Sequence, residues 1–350
     1  MQNPRVVTVS QVSDFDEIID VRSPAEYAED HIPGAISTPV LNDEQRAEVG
    51  TLYTQVSPFA AKKRGAVLIA RNIAQHLESL FNDRPKQWKV LVYCWRGGQR
   101  SGAMAHILAQ VGWSVGRLDG GYKSYRRGVL ADLNTLPDML QFRVVCGPTG
   151  SGKSRLLHIL HEQGAQVLDL EALAQHRGSL LGSLPNEVQP AQKMFESRLW
   201  DVLRHFDAQR PVFVEAESKK IGLINTPEPL LNKMRTSNCV LIEAPVAARV
   251  QLLMEDYKHF LIDPELLIRR LTPLLPLHGR QVLDHWQKLM EQGEWSALVE
   301  ILLTQHYDPS YLRSTAHNFS HLPFAQVLKL GSLDATTLRT AAFSELKPLP

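Results

Sequence analysis

Short apolar runs alternate with amphipathic stretches along most of the chain. Ile18-Ile19-Asp20-Val21 and Val90-Leu91-Val92-Tyr93 read as buried strands. Met104, Ile107, Leu108 and Val111 recur at i, i+3, i+4 and i+7, which predicts a helix that Ser101 caps and Gly112 ends. A second series opens with Phe142-Arg143-Val144-Val145-Cys146 and continues with strands at Val167-Leu168-Asp169, 211–215 and 239–243. Phe195, Leu199, Val202 and Phe206 keep helical spacing between them. From about 246 to 303 the pattern turns helical, and Val327-Leu328-Lys329-Leu330 reads as a last strand. Repeated strand–loop–helix units predict an α/β protein with mainly parallel sheets. The polar stretch 131–141, which contains Pro137, divides it into domains at 1–132 and 133–350, the second with a helical portion at about 246–304. The helices at 281–304, carrying Trp286 and Trp295, read as finishing the core rather than as a lid.

Composition narrows the classes. The 350 residues are 44% apolar and 21% charged, the balance of a globular chain. With 38 basic and 37 acidic residues the formal charge is +1, so a nucleic-acid partner must rest on a local patch. No 18-residue uncharged apolar run predicts a membrane span, and no apolar leader follows the first residues. Three cysteines, Cys94, Cys146 and Cys239, make no disulfide framework and lack zinc-site spacing. A reducing, cytoplasmic setting is the expectation, with no membrane and no protein partner called for.

Two loops carry the chemistry. Cys94 ends a strand and Trp95-Arg96-Gly97-Gly98-Gln99-Arg100 leads into a helix. Successive loop N–H groups and the helix dipole make an anion cradle, and glycines let the backbone turn sharply. Such a cradle favours the thiolate form of a cysteine, and Arg100 is placed to pair with an incoming anion. The second loop, Gly147-Pro148-Thr149-Gly150-Ser151-Gly152-Lys153-Ser154, matches G-x4-G-K-[ST] after a strand and before a helix. Its backbone wraps a diphosphate, Lys153 supplies a point charge, and Ser154 is a candidate Mg²⁺ ligand with either Asp169 or Glu215. An Asn/Thr-Lys-x-Asp segment that would read a guanine is missing, since Asn232-Lys233-Met234-Arg235 lacks the aspartate.

Residues 94–130 hold Arg96, Arg100, Arg117, Lys123, Arg126 and Arg127 against Asp119 alone, with Tyr122 and Tyr125 among them. Aromatics beside basic groups suit an unstacked RNA base and its phosphates. Arg117, Lys123, Arg126 and Arg127 are the candidate RNA contacts, and His176-Arg177-Gly178-Ser179 and Arg269-Arg270 could extend them. Asp20 and Arg22 read as a brace for the neighbouring loop.

Several of these motifs carry a family resemblance. Asp20-Val21-Arg22-Ser23-Pro24-Ala25-Glu26-Tyr27 followed by His31-Ile32-Pro33-Gly34-Ala35-Ile36 resembles the opening of a rhodanese domain, with Cys94 and Arg100 at that family's active loop. Single-sulfur rhodaneses commonly have Cys-x4-Arg. The Cys-x5-Arg here resembles the wider loop of rhodanese-like dual-specificity phosphatases, which implies a tetrahedral phosphorus compound rather than thiosulfate. The second loop is similar to that of tRNA dimethylallyltransferases, which implies a prenyl diphosphate. With Leu168-Asp169-Leu170-Glu171 and His176-Arg177-Gly178-Ser179, the whole chain resembles the bacterial tRNA 2-selenouridine synthase family. That resemblance implies a transferase that exchanges sulfur for selenium in the wobble 2-thiouridine of tRNA. It implies S-geranylation from geranyl diphosphate, then selenation from selenophosphate through selenium bound to Cys94. Trp95, Arg96, Gly97, Gly98, Gln99 and Arg100 would hold selenophosphate. Gly147, Gly150, Ser151, Gly152, Lys153 and Ser154 would hold the diphosphate with Mg²⁺. The residues leave open a phosphatase fused to a nucleotide-binding regulator, an ATP-dependent tRNA sulfurtransferase, and a non-enzymatic RNA-binding module.

Overall fold

The structure is a computed structural model and describes residues 3–183 and 187–346. The chain forms two compact units, one of residues 1–132 with 191–201, the other of 133–190 with 202–350.

The first unit is built on a five-stranded parallel sheet. Its strands are β1 (Arg5–Val7), β2 (Glu17–Asp20), β3 (Ile36–Ser37), β4 (Lys89–Tyr93) and β5 (Ser114–Leu118), in the order β1-β5-β4-β2-β3. The central strands are apolar runs because helices cover both faces of a parallel sheet. Val90, Val92 and Ile19 are fully buried with Met104 and Leu108 of the following helix. Five helices surround the sheet: α1 (Pro24–Glu29), α2 (Asp43–Gln55), α3 (Pro58–His76), α4 (Gln99–Val111) and α5 (Gly121–Leu133). Helix α4 ends, as its sequence predicts, at Gly112 in the left-handed conformation (φ +108°). Its start differs from expectation. Gly98 is the N-cap, and Ser101 lies one turn in, where its hydroxyl faces Cys94 instead of an orphan N–H.

The second unit has a parallel sheet of β6 (Gln141–Cys146), β7 (Gln166–Leu168), β8 (Pro211–Glu215), β11 (Asn238–Glu243) and β12 (Gln326–Lys329), in the order β12-β11-β6-β8-β7. A two-stranded antiparallel hairpin, β9 (Lys220–Ile221) and β10 (Ile224–Asn225), follows β8. The P-loop leaves β6 and enters the helix Lys153–Glu162, whose Leu156, Leu157 and Leu160 pack into the sheet core. The helical stretch expected at 246–304 is present as successive helices, including Val246–Asp256, Arg280–Glu291 and Trp295–Leu302. Trp286 is 1% exposed and joins Phe260, Leu271 and Leu298 in a cluster of its own, so this tryptophan completes a core. The helix Gln192–Leu203 takes the place of the 195–206 pattern, and its first ten residues belong to the first unit, not to the P-loop unit that flanks them in sequence. Among the described residues no helix is long and apolar enough to cross a membrane.

Candidate active sites

The cysteine loop is held from below. Tyr122 donates its N–H to the Cys94 carbonyl at 2.8 Å, and Lys123 donates its own to Trp95 at 3.0 Å, so α5 starts directly beneath the loop. That approach requires glycine. Gly121 has φ +59°, and a Cβ there would lie 2.2 Å from the Cys94 oxygen and 2.4 Å from the Gly97 nitrogen. Gly121→Ala is therefore expected to displace the loop, destabilising the first unit by more than about 2 kcal/mol. A drop in its thermal midpoint with loss of Cys94 alkylation selectivity would register this; a midpoint unchanged within error would refute it.

Cys94 is buried at the floor of the loop, with Sγ 3.1 Å from the Ser101 hydroxyl. Among the described residues none bonds the backbone N–H groups of Trp95, Arg96, Gly98 or Gln99, which leaves donors for an anion above the sulfur. Arg100 does not point free. Its Nη1 donates to Glu26 Oε2 at 2.8 Å, and Arg46 reaches the same carboxylate at 3.2 Å. Burial opposes the Glu26 charge, yet the hydrogen bond and charge of Arg100 hold the carboxyl below its ordinary value. Asp20 and Arg22 form the brace expected of them. Arg22 donates to Asp20 at 2.6 Å and to the Asp30 carbonyl at 2.6 Å, and it lies 4.0 Å under the Tyr122 ring.

The basic stretch divides in the structure. Tyr122 and Tyr125 are not surface platforms: they are 3% and 0% exposed, and the Tyr122 hydroxyl donates to Asp30 at 2.6 Å. Arg126 is tied to Glu196 and to the Lys193 carbonyl. Arg96, Lys123 and Arg127 remain exposed, and Arg117 is half-buried. His176 and Arg177 do not extend this surface. His176 is buried, and Arg177 donates to the Asp256 carbonyl and lies over Tyr257 in the wall of the P-loop cavity.

The P-loop has its expected strand-to-helix setting, with Gly150 and Gly152 at φ +77° and +83°. Side chains from distant segments fix it. Gly147 donates its N–H to the Tyr311 hydroxyl at 2.6 Å, and buried Arg249 donates to the Thr149 carbonyl and to Asp308. Lys153 Nζ donates to the Gly147 carbonyl at 2.8 Å and stands 3.5 Å from Glu215. Burial works against its charge, but Glu215, with Tyr311 and Glu171 behind it, restores it and holds the amine above the usual lysine value. Ser154 Oγ donates to Glu215 at 3.0 Å and lies 3.4 Å from Glu171. Of the two acids expected to serve a metal, Glu215 is at this site. Asp169 instead caps the helix Leu170–Ala174, accepting from Ala172 at 2.8 Å. Glu171 and Glu217 join Glu215, their ligand atoms all within 4.8 Å of one another. The alternation Glu215-Ala216-Glu217 could have signalled the third acid, since residues two apart on a strand share a face. Tyr311 and Arg249 gave no local signal.

A set of hard oxygens, one hydroxyl and three carboxylates, fits Mg²⁺. The carboxylates are crowded enough to need it. Burial first, then Glu215, pushes Glu171 up to about 9 and Glu217 up to about 8. In the metal-free chain both hold a proton at neutral pH, whereas in the unfolded chain both are ionised above about pH 4.5. The unfolded state then binds fewer protons, so stability falls as pH rises from about 5 towards 9. In EDTA the thermal midpoint of the second unit is expected to drop by a few degrees between pH 6 and pH 9, and Glu171→Gln to flatten that slope. A midpoint that rises with pH would contradict this.

The P-loop, the acids, Arg177 and Tyr311 line a cavity of about 780 Å³. A second, narrow apolar space of about 70 Å³ adjoins it, walled by Phe260, Leu267, Trp295, Leu298 and Leu302. Thr149, Ser179, Leu253, Tyr257 and Tyr307 border both spaces.

Both units match known families. A model of the rhodanese-like domain matches residues 8–127, and one of the tRNA 2-selenouridine synthase AAA domain matches residues 140–264. The tRNA 2-selenouridine synthase of Nitrosomonas europaea is 35% identical over 272 residues, covering 73% of this chain and 68% of its own. That of Aeromonas salmonicida is 32% identical over 336 residues, covering 88% and 89%. A cysteine cradle on one sheet, a lysine-tipped phosphate loop on the other, and relatives that align across both place this chain in the tRNA 2-selenouridine synthase family.

Proposed function

We propose that this chain replaces sulfur by selenium at C2 of the wobble 2-thiouridine of tRNA, in the cytoplasm, through an S-geranyl intermediate. The observation that carries the reading is the apolar space that adjoins the P-loop cavity. A nucleotide ends in a polar base and sugar. A prenyl diphosphate needs a phosphate cradle beside a greasy wall, and the cavity together with the apolar space adjoining it offers both.

In the first step the P-loop backbone and Lys153 hold geranyl diphosphate. Ser154, Glu215 and the neighbouring Glu171 and Glu217 would hold Mg²⁺, which would neutralise charge on the diphosphate. The uridine sulfur attacks C1 of the geranyl group, the C1–O bond breaks, pyrophosphate leaves, and the N3 proton passes to solvent. Alkylation turns a poor leaving group into a thiol that departs readily.

In the second step the Cys94 loop and Arg100 hold selenophosphate. Electron balance redirects the role expected of the cysteine. Selenium in selenophosphate is already at the selenide level, so a selenylsulfide on Cys94 would require phosphorus to leave as phosphite. The route that balances has selenium attack C2. The C2–Se bond forms, the C2–S bond breaks, and geranylthiol leaves with a proton. The Cys94 thiolate then takes the phosphoryl group from selenium, and water releases it as orthophosphate. A loop wide enough for a tetrahedral phosphorus suits that transfer. Arg96, Lys123 and Arg127, exposed in and after the loop, would meet tRNA phosphates.

Mass spectrometry of wobble nucleosides after incubation with thiolated tRNA, geranyl diphosphate, selenophosphate and Mg²⁺ tests the whole. The expected sequence is 2-thiouridine, its S-geranyl form, then 2-selenouridine, with orthophosphate as the phosphorus product by ³¹P resonance. An absolute requirement for ATP, or aryl phosphate hydrolysis without tRNA as the dominant reaction, would overturn the reading. Phosphite as product would return selenium to the sulfur of Cys94.

A further inference from the structure

The first unit contains a second cavity, of about 1000 Å³, which neither step above uses. Helices α2, α3 and α4 frame it as an open cleft, with Tyr53 and Ile107 exposed along its walls. Its walls are apolar: Val49 and Tyr53 from α2, Ile69 and Ala70 from α3, Ala103 and Ile107 from α4. The space exists because of how the sequence packs these helices. No residue of α2 is fully buried, and α3 offers it small side chains, with Ala61 and Gly65 at the contact and Ala66, Ala70 and Ala74 further along. The helices therefore frame a hollow that their own side chains do not fill. Its volume is at the upper end of small-molecule pockets, far beyond a packing defect.

Two features say what it takes. Gln99 and Arg100, which open α4 directly after the cysteine loop, form part of its wall, so the cavity borders the helix start that follows that loop. Among the described residues no carboxylate lines it, while Lys62 and His106 do, with Arg46 and Arg100, whose two charges share the single carboxylate of Glu26. An apolar interior with a cationic border fits a ligand with a hydrocarbon chain on an anionic body. We infer that this cleft receives the prenyl chain of the S-alkylated uridine, with the tRNA backbone along its basic border, and so sets C2 over the Cys94 loop. The inference rests on the alkylation step proposed above. It adds a separate site for the alkylated base, distinct from the pocket that takes the diphosphate donor. It also gives the chain a reason to be long: a prenyl group becomes a handle that selects alkylated from unalkylated tRNA at the second step.

The test uses the full-length protein and tRNA alkylated chemically, so that it does not depend on the geranyl-transfer step. Selenation is measured on S-geranyl and S-methyl tRNA with the wild type, Ala70→Trp and Ala103→Trp. Filling the cleft is expected to lower the S-geranyl to S-methyl ratio of kcat/KM at least tenfold. A ratio unchanged, with both substrates slowed alike or neither slowed, overturns the inference. Should the tryptophan variants fail to fold, the wild type is photolabelled instead with tRNA whose thioether chain carries a diazirine. Labels within 46–77 and 99–107 support the cleft, and labels confined to 133–190 and 202–346 overturn it. Failure of the parent reading looks different: the wild type would then produce no S-geranyl tRNA from geranyl diphosphate at all.

Discussion

Cys94→Ser is expected to abolish 2-selenouridine formation while the Se-phosphorylated uridine, from which geranylthiol has already left, accumulates. The substitution keeps the size of the side chain and a partner for the Ser101 hydroxyl 3.1 Å away, so the loop should survive it. What it removes is the sulfur nucleophile at the floor of a ring of N–H donors that have no partner among the described residues. A serine hydroxyl there is almost wholly protonated at neutral pH and a poor acceptor of a phosphoryl group. The loss in 2-selenouridine formation should exceed about 10³-fold, the scale on which a covalent nucleophile acts within a catalytic unit. Geranyl transfer, which uses the other sheet, should proceed. The measurement is a time course of wobble nucleosides by mass spectrometry. Formation of 2-selenouridine that persists in the variant would remove Cys94 from the chemistry. Retained selenation of pre-alkylated tRNA together with lost geranylation would reverse the assignment of the two sites.

Lys153→Ala should have the complementary effect. Its Nζ donates to the Gly147 carbonyl and stands 3.5 Å from Glu215, so it organises the loop from inside and carries the cation nearest the diphosphate. Removing a charge aimed at a leaving group costs about 10²–10³-fold in rate. Here the loss is compounded, because Glu215 would lose the ammonium 3.5 Å away and oppose the diphosphate more strongly. Geranyl transfer should therefore fall by at least about 10²-fold, and tRNA supplied already geranylated should still be selenated. Raising Mg²⁺ should recover part of the loss. Geranylation unchanged in this variant would refute the use of the P-loop for the prenyl donor.

The features legible in the sequence were those whose cause is local. β4, β6, β8 and β11 are buried on both faces, so their apolar runs stand out within one or two residues of their true ends. Both candidate loops are contiguous, and glycines mark them. The short strands β1 and β3 and the hairpin β9–β10 have too few residues for any period to show. Helix α2 buries no residue fully and so writes no apolar stripe. Tyr122 and Tyr125 misled for another reason. Charged neighbours suggested a surface, but their partners lie far along the chain: Asp30 receives the Tyr122 hydroxyl, and Trp200 packs edge-on against the Tyr125 ring. Glu217, Arg249 and Tyr311 became part of the P-loop site only through the fold.

The excursion of residues 191–201 into the first unit bears on any attempt to divide the protein. A fragment ended at 132 would keep the cysteine cradle but strip away the segment that supplies Glu196 to Arg126, Trp200 to Tyr125 and Lys193 to Glu29. The complementary fragment would carry that segment as an orphan, with Trp200 deprived of the Tyr125 ring it packs against. Splitting the gene at the obvious seam should therefore yield two sticky, poorly folded products, whereas grafting 191–201 behind 132 through a short linker should rescue the first.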